Sequence, residues 1–388
     1  MNTNVKRNSS IEAIKIFAII SIIISHVVLT LEIKGTPYVS LDDYVVDLTK
    51  ATVNNQYFVA SMLRYGGELG NTVFFLSSAW FLLDKGGTVN KRKILLMLAD
   101  VWMVSVLILV IVLIQREGKV SGALIVQALF PTSFENNWYI SCYIIFYIIH
   151  PFLNKIIFCM KQKTLLRINI LAVFMYFFIA FLCRFTVYLF GSGTDFFSSR
   201  LVIWTVEYFI VAYLKLYAGK SLEKRKLNSA LIAFGLIGNC GLVYMMNELG
   251  LKNEAFSGAL QIWITPYNPF LFAFCLGLFG MARSITFENK LVNYISKLSL
   301  LIYIIHENKL LRLLYRPLMW QYVYDRYGYE HVLVYITILS AVVFIVSLIG
   351  SIVYYETIRI FTGRVCDRLY SRMASIWKRA ENKMLAIH

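Results

Sequence analysis

The sequence predicts an all-α membrane protein, a polytopic bundle of about ten transmembrane helices with both termini in the cytoplasm. Of its 388 residues, 59% are hydrophobic and only 15% are charged, whereas soluble domains average about 25% charged residues. Long apolar runs recur along the whole chain, as membrane-spanning helices require. Most of the 38 Lys and Arg residues fall in alternate connections, which is the charge bias of a cytoplasmic face.

The predicted spans follow these apolar runs in order. The first is rich in isoleucine and lacks the small-residue cleavage site of a signal peptide, so we expect it to be retained. The third follows the basic run Lys91 to Lys93 and the fourth begins at Trp138, as expected at a cytoplasmic and an outer boundary. An even number of spans places both termini on one side. The spans are predicted at 11–31, 68–84, 94–115, 138–158, 165–190, 201–218, 229–247, 262–282, 293–312 and 332–358.

The chain is predicted to form one membrane domain, residues 1–360, followed by a basic tail, residues 361–388. In the tail, Arg and Lys alternate with apolar residues at a spacing that suits an amphipathic helix on an anionic membrane surface. The alternative is a tail that only sets the topology. Membrane lipids are the partners that such a chain requires.

The net charge of +16 would fit a nucleic-acid partner in a soluble domain, but in so apolar a chain it indicates the cytoplasmic face. We therefore expect no nucleic acid. Abundant Ile, Lys and Asn favour an AT-rich bacterial genome, so the bacterial cytoplasmic membrane is the predicted location. The six cysteines show no CxxC spacing, and we expect neither disulfides nor a bound metal.

Three ionisable residues interrupt the first span. Glu12, Lys15 and His26 lie on one side of a helix, because Lys15 and His26 are eleven residues apart and differ by roughly 20° around the axis. A histidine at this depth can act as a general base or carry an acyl group. The alternative is a histidine that only binds a neighbouring helix. Lys15 is predicted to pair with Glu12 or Asp100, or to bind phosphate.

The ninth span carries a second polar face. Ser299, Tyr303 and His306 are spaced at i, i+4 and i+7, which places them on one side of a helix. His306 lies about as far from its cytoplasmic end as His26 does from its own, so the two histidines are predicted at comparable depth. A catalytic role and a structural hydrogen bond are equally compatible with His306.

A cluster of cations, Lys91, Arg92 and Lys93, precedes the third span. Such a cluster usually fixes the topology; alternatively, it binds a phosphorylated ligand, since guanidinium groups pair well with phosphate. The chain has no Walker loop, no GxGxxG opening a nucleotide fold, no HExxH and no GxSxG. Hydrolases and ATPases of the soluble type are therefore not indicated.

Four segments in order resemble membrane acyltransferase family 3. The first span resembles the family's opening motif, an acidic residue and an arginine followed by a histidine, with Lys15 at the arginine position. The other three are GELGNTVFFLSSAWFLL, which resembles the second-helix motif, NNWYISCYIIFYIIHPFLNK, which resembles the tryptophan-to-proline motif through Trp138, Tyr143 and Pro151, and SLLIYIIH, which is similar to the late Ser-Tyr-His segment.

The resemblance implies an integral membrane O-acyltransferase that takes an acyl group, usually acetyl from acetyl-CoA, to a hydroxyl of an envelope polysaccharide or glycolipid. It implies a catalytic role for His26, with His306 as a second catalytic candidate. It also implies donor binding by an Arg-x-x-Arg pair, of which this chain keeps only Arg92, because Leu95 holds the second place. Lys15, Lys91 and Lys93 are the further donor candidates, and Glu12, Trp138, Ser299 and Tyr303 are the supporting residues.

A transporter or flippase for a lipid-linked saccharide is the main alternative. It would also need a polar path through the membrane. Transporters often contain inverted repeats and paired broken helices, and the sequence shows neither.

Overall fold

The computed structural model describes residues 8–32, 35–36, 39–40, 45–48, 52, 55–85, 89–133, 137–184, 199–253 and 265–385, with side chains up to residue 375. Two two-residue strands, β1 (Gly35–Thr36) and β2 (Val39–Ser40), pair antiparallel, and helices make up nearly all the rest. The predicted tail residues Ile376, Trp377, Lys378 and Arg379 lie beyond the described side chains.

Seventeen helices are numbered here along the described part of the chain. They are α1 Ser9–Thr30, α2 Gln56–Leu63, α3 Gly66–Leu82, α4 Lys91–Gln115, α5 Gly122–Leu129, α6 Trp138–Cys159, α7 Gln162–Arg184, α8 Arg200–Tyr217, α9 Gly219–Leu222, α10 Arg225–Lys252, α11 Pro269–Arg283, α12 Lys290–Lys297, α13 Ser299–His306, α14 Lys309–Leu314, α15 Arg316–Tyr327, α16 Val332–Val353 and α17 Arg359–Leu385. Two π-helical turns, Phe174–Ile179 within α7 and Tyr354–Ile358 between α16 and α17, complete the set.

Six helices of the described part are long and apolar enough to cross a membrane: α1, α4, α6, α7, α10 and the continuous rod Val332–Ser375. A shorter apolar helix, α11, occupies most of the predicted eighth span. The all-helical, multi-span class is thereby confirmed. The count of ten spans and the side of the termini stay predictions.

The predicted ninth span, 293–312, is wrong as one continuous helix. The chain turns at Leu298 and again after His306, which divides it into α12, α13 and α14. The second break has a local cause: the Asn308 side chain accepts a hydrogen bond from the Leu310 amide and starts a new helix, a typical N-cap arrangement. The break leaves Glu307 outside regular helix, free to turn its carboxylate inward.

The first helix is the centre of the bundle. It packs antiparallel to α3, with contact so close that a Cβ added at Gly70 would lie 2.5 Å from the Ala18 carbonyl oxygen. Its other sides contact α12, α13, α16 and α11. One apolar core lies around α1, α4, α13 and α16, and a second lies around α3, α6, α8 and α11. The polar stripe of α1 therefore faces the interior rather than lipid.

The helical rod that begins with α16 continues through the predicted domain boundary at residue 360. Buried Asp100 of α4 fastens it, because its carboxylate accepts a hydrogen bond from Tyr354 at 2.9 Å and pairs with Arg359 at 2.9 Å. Further along, Arg92 pairs with Asp367 at 2.5 Å. The first turns of the tail are thus packed against α4.

Candidate active site

The structure brings His26 of α1 and His306 of α13 together. Their rings stack with centroids 5.5 Å apart, and His26 Nδ1 lies 3.3 Å from His306 Nε2. The His306 Nδ1 atom lies 3.0 Å from the Ile302 carbonyl oxygen. A carbonyl can only accept, so Nδ1 of His306 carries the proton and its Nε2 presents a lone pair towards His26.

Glu307 completes this group. Its Oε1 atom lies 2.8 Å from His26 Nδ1. Both neighbours of that nitrogen, the carboxylate of Glu307 and the lone pair of His306, are acceptors, so Nδ1 of His26 must donate. The proton is then fixed on Nδ1 and Nε2 of His26 stays unprotonated, which is the arrangement by which a carboxylate prepares a histidine as a general base.

Two arginines hold the Glu307 carboxylate in place. Arg316, at the start of α15, donates to Oε1 at 3.1 Å and to the His306 carbonyl at 2.5 Å. Arg312 approaches Oε2 at 3.3 Å. Trp320 of α15 donates to the Val27 carbonyl at 2.9 Å, which ties α15 to α1. Glu307 and Arg316 are buried, whereas the His26 side chain keeps 23% of its surface exposed, so the base is accessible while its supports are not.

His26, His306 and Glu307 each offer one atom that could bind a metal ion, and these atoms all lie within 4.8 Å of one another. Two histidines and a glutamate are a known set of zinc ligands. Here, however, the carboxylate already binds two guanidinium groups, and these would repel a divalent cation. The geometry therefore fits a hydrogen-bonded histidine–carboxylate pair better than a metal site, and the expected absence of a metal stays a prediction.

A cavity of about 410 Å³ lies between α1, α3, α4, α6, α12 and α13. One end, called here the lysine end, carries Lys15, Lys93 and Lys297. The other end, the tyrosine end, is formed by Tyr139 and Tyr303, with Ile22, Asn71 and Phe74 beside them. Ile22 is one helical turn before His26, and the Tyr303 ring lies edge-on to His306 with centroids 5.6 Å apart. The tyrosine end therefore reaches the neighbourhood of the histidines.

Several predicted site residues line this cavity or adjoin it. Lys15, Lys93, Ser299 and Tyr303 are in its wall. Glu12 pairs with Lys15 at 3.5 Å, one of the two predicted partners, and also accepts a hydrogen bond from Ser296. The Ser299 hydroxyl is buried and forms no hydrogen bond with any described residue, so it remains available to a ligand.

Three other predicted residues lie outside the cavity wall. Arg92 is half exposed and engaged by Asp367, and Lys91 is exposed beside it. Trp138 directly precedes Tyr139. The Arg200 guanidinium lies over the Trp138 ring, 4.8 Å from its centroid. Of the predicted cation cluster, only Lys93 faces the cavity.

Sequence reasoning missed Glu307, Arg316 and Lys297. Glu307 directly follows His306, so the segment IIHENK contained a signal, but helical periodicity places adjacent residues about 100° apart. Lys297 lies near the start of the predicted ninth span, where a cation is common at a cytoplasmic boundary, so its charge did not single it out. Arg316 has no local signal, because it comes from a separate helix.

Beyond α1, Glu32 pairs with Arg64 at 2.8 Å. Burial raises the pKa of the Glu32 carboxyl to about 7, while the nearby Arg64 charge opposes this rise. The Arg64 carbonyl in turn accepts a hydrogen bond from Ser25 at 2.5 Å. These contacts join α1 to the segment that leads into α3. The contact through Ser25 lies directly before His26 in the sequence.

A family model described as an acyltransferase domain matches residues 8–355 of the chain. The match contains the histidine pair, Glu307, both arginines and the whole cavity, and it ends just before α17. No curated protein and no solved structure matches the chain.

Proposed function

The chain belongs to membrane acyltransferase family 3, and from this premise we propose that it is an O-acyltransferase of the bacterial cytoplasmic membrane. It moves an acyl group, acetyl in the simplest case, from acetyl-CoA on the cytoplasmic side to a hydroxyl of an envelope polysaccharide or glycolipid. The observation that carries this proposal is the accessible His26, oriented by a buried carboxylate at 2.8 Å, next to a cavity with three lysines at its far end.

The cavity suits a CoA thioester as donor substrate. Lys15, Lys93 and Lys297 offer positive charge to the phosphates of CoA, which lysines bind as point charges. The wall between the two ends has mixed polarity and includes Ser78, Met97, Tyr143, Ser299 and Leu300. A pantetheine arm following it would bring its thioester to the tyrosine end, beside the histidines. On this proposal Arg92 and Lys91 lie at the margin of the donor site.

The reaction then follows from the hydrogen bonds of His26. Its unprotonated Nε2 removes the proton from the acceptor hydroxyl as the oxygen attacks the thioester carbonyl. A carbon–oxygen bond forms, the carbon–sulfur bond breaks, and the proton passes from His26 to the departing CoA sulfur. Glu307 stabilises the transient imidazolium charge. The hydroxyls of Ser299 and Tyr303, both in the cavity wall, are the proposed hydrogen-bond donors to the oxyanion.

The proposal is tested by transfer of label from acetyl-CoA in membrane vesicles at equal protein expression. The native protein and a His331→Ala control, whose histidine is exposed at the start of α16, should label an envelope glycan. His26→Ala should lose at least about 100-fold of the rate, the size of a general-base contribution. Equal transfer by His26→Ala would refute the catalytic role of His26. Absence of transfer by the native protein, with uptake or flipping of a saccharide instead, would favour the transporter.

A further inference from the structure

A second buried charged cluster lies apart from the histidines. It is formed where the first turn of α3, the start of α6 and the first two turns of α8 meet. It consists of Glu68, Trp138, Arg200 and Glu207. Arg200 donates to both oxygens of Glu68 and stacks on Trp138. Glu207, two turns further along α8, is only 1% exposed.

The cluster holds two carboxyl groups and one cation. Arg200 is committed to Glu68 in a bidentate pair, and Oε2 of Glu207 accepts no hydrogen bond from any residue that the structure describes. A buried carboxylate oxygen is normally satisfied, and an ionisable residue within a membrane bundle usually marks a ligand or ion path. Glu207 therefore lacks the hydrogen-bond donor that its position requires.

This cluster adjoins the tyrosine end of the cavity. Asn71 is one helical turn after Glu68, and Tyr139 directly follows Trp138; both line the cavity. The Trp138 ring meets Tyr139 edge-on, with centroids 5.7 Å apart, and Tyr139 meets Tyr303 at 5.8 Å. In the contact between α3 and α1, Gly66 lies against Ser21 and Gly67 against Ser25. The adjoining Glu68 therefore lies beyond the lysine end, towards the depth of His26.

We propose that Glu68, Trp138, Arg200 and Glu207 bind a neutral, hydroxyl-rich sugar ring of the acceptor. Carboxylates accept hydrogen bonds from sugar hydroxyls, the guanidinium donates to ring and hydroxyl oxygens, and the tryptophan supplies an apolar wall with a polar edge. A sugar hydroxyl is the donor that Oε2 of Glu207 lacks. An anionic sugar fits less well, because the Arg200 charge is already paired with Glu68.

This inference rests on the proposed function, since it assigns the acceptor side of the same reaction. The donor enters from the lysine end, and the acceptor occupies the opposite side of Tyr139 and Tyr303. The two substrates then meet beside His26, and a sugar can bind without a CoA thioester.

The test is equilibrium binding of methyl hexopyranosides and methyl glucuronoside to the purified full-length protein in nanodiscs, without acetyl-CoA. At least one neutral glycoside should bind, and Glu207→Gln should weaken its binding about 10-fold or more, as loss of a buried hydrogen bond does. Trp138→Phe should weaken it as well. The matched controls Glu356→Gln and Trp102→Phe, on exposed side chains of other helices, should bind like the native protein.

Unchanged binding by both Glu207→Gln and Trp138→Phe would overturn the assignment, as would binding of the glucuronoside alone or of no glycoside. Folding of each variant is checked by its thermal transition and by its acetyl-CoA affinity. Because sugar binding is measured without donor, it can succeed even where acyl transfer fails. Loss of transfer with intact sugar binding would reject the proposed function and retain the sugar site.

Discussion

The Oε1 atom of Glu307 lies 2.8 Å from Nδ1 of His26, although 281 positions separate these residues in the sequence. The contact exists because the helix carrying His306 ends at that residue, and the next helix starts from the Asn308 cap. The break that terminates a span thus also delivers the carboxylate. The same break in the helix therefore ends the segment that carries His306 and places Glu307 against His26.

Removal of the Glu307 charge tests this relationship most directly. Glu307→Gln keeps the size of the side chain but no longer fixes the proton on His26 Nδ1, so the transfer rate should fall about 10²- to 10⁴-fold. The measurement is the rate of acetyl transfer per folded protein. Glu356→Gln, which alters an exposed carboxylate bonded to Tyr294 at 2.7 Å, is the control. A rate within twofold of the native value in Glu307→Gln would contradict the assignment.

The two arginines that bind Glu307 should contribute unequally to stability. Arg316 is buried, whereas the Arg312 side chain is 41% exposed. Arg316→Gln leaves a buried carboxylate with reduced compensation and should cost about 3–5 kcal/mol, while Arg312→Gln should cost less than about 1 kcal/mol because solvent screens that pair. The thermal unfolding midpoints of the two variants are measured in the same detergent. Similar midpoints would show that the burial of each arginine does not determine its contribution to stability.

The neighbouring cations Arg92 and Lys93 should differ in their effect on donor binding. Lys93 faces the cavity, and Arg92 is paired with Asp367 outside it. Lys93→Ala should raise the KM for acetyl-CoA about 10-fold, equivalent to one lost phosphate contact, with a smaller effect on kcat. Arg92→Ala should leave both constants nearly unchanged. The reverse pattern, a large KM effect for Arg92→Ala alone, would place the donor outside the cavity.

Chelation tests the metal alternative at the histidine pair. The donors of His26, His306 and Glu307 are close enough for a metal, but Arg312 and Arg316 already neutralise the carboxylate. Transfer should therefore be unchanged after prolonged exposure to a strong chelator, and metal analysis of the purified protein should find less than one equivalent. Activity that is lost on chelation and restored by Zn²⁺ would make this a catalytic metal centre.

Periodicity predicted much of the site and failed where the helix broke. Two polar faces could be predicted from helical periodicity because both lie within regular helices. They are formed by Glu12, Lys15 and His26 and by Ser299, Tyr303 and His306. The structure brings the two histidines together from these faces. The catalytic role of either histidine remains a prediction.

The partners that were missed depend on tertiary structure. The orientation of Glu307 depends on a cap at Asn308, and Arg316 reaches it from another helix. The pairing of Arg92 with Asp367 spans 275 positions, and no local pattern encodes such a contact. Charged residues on different helices can be matched only when the packing is known.

The contact between α1 and α3 should tolerate no side chain at Gly70. A methyl group there would lie 2.5 Å from the Ala18 carbonyl oxygen and 2.5 Å from Cγ1 of Ile22, so Gly70→Ala must push the helices apart. We expect a loss of about 1–3 kcal/mol, as overpacking produces, and lower transfer activity because Ile22 is one turn from His26. Gly363→Ala in α17, where a Cβ meets nothing within 4 Å, should be neutral or slightly stabilising, since alanine favours helix. Thermal transitions and transfer rates of the two variants decide the matter: if Gly70→Ala matches Gly363→Ala in both, the α1–α3 packing does not position His26.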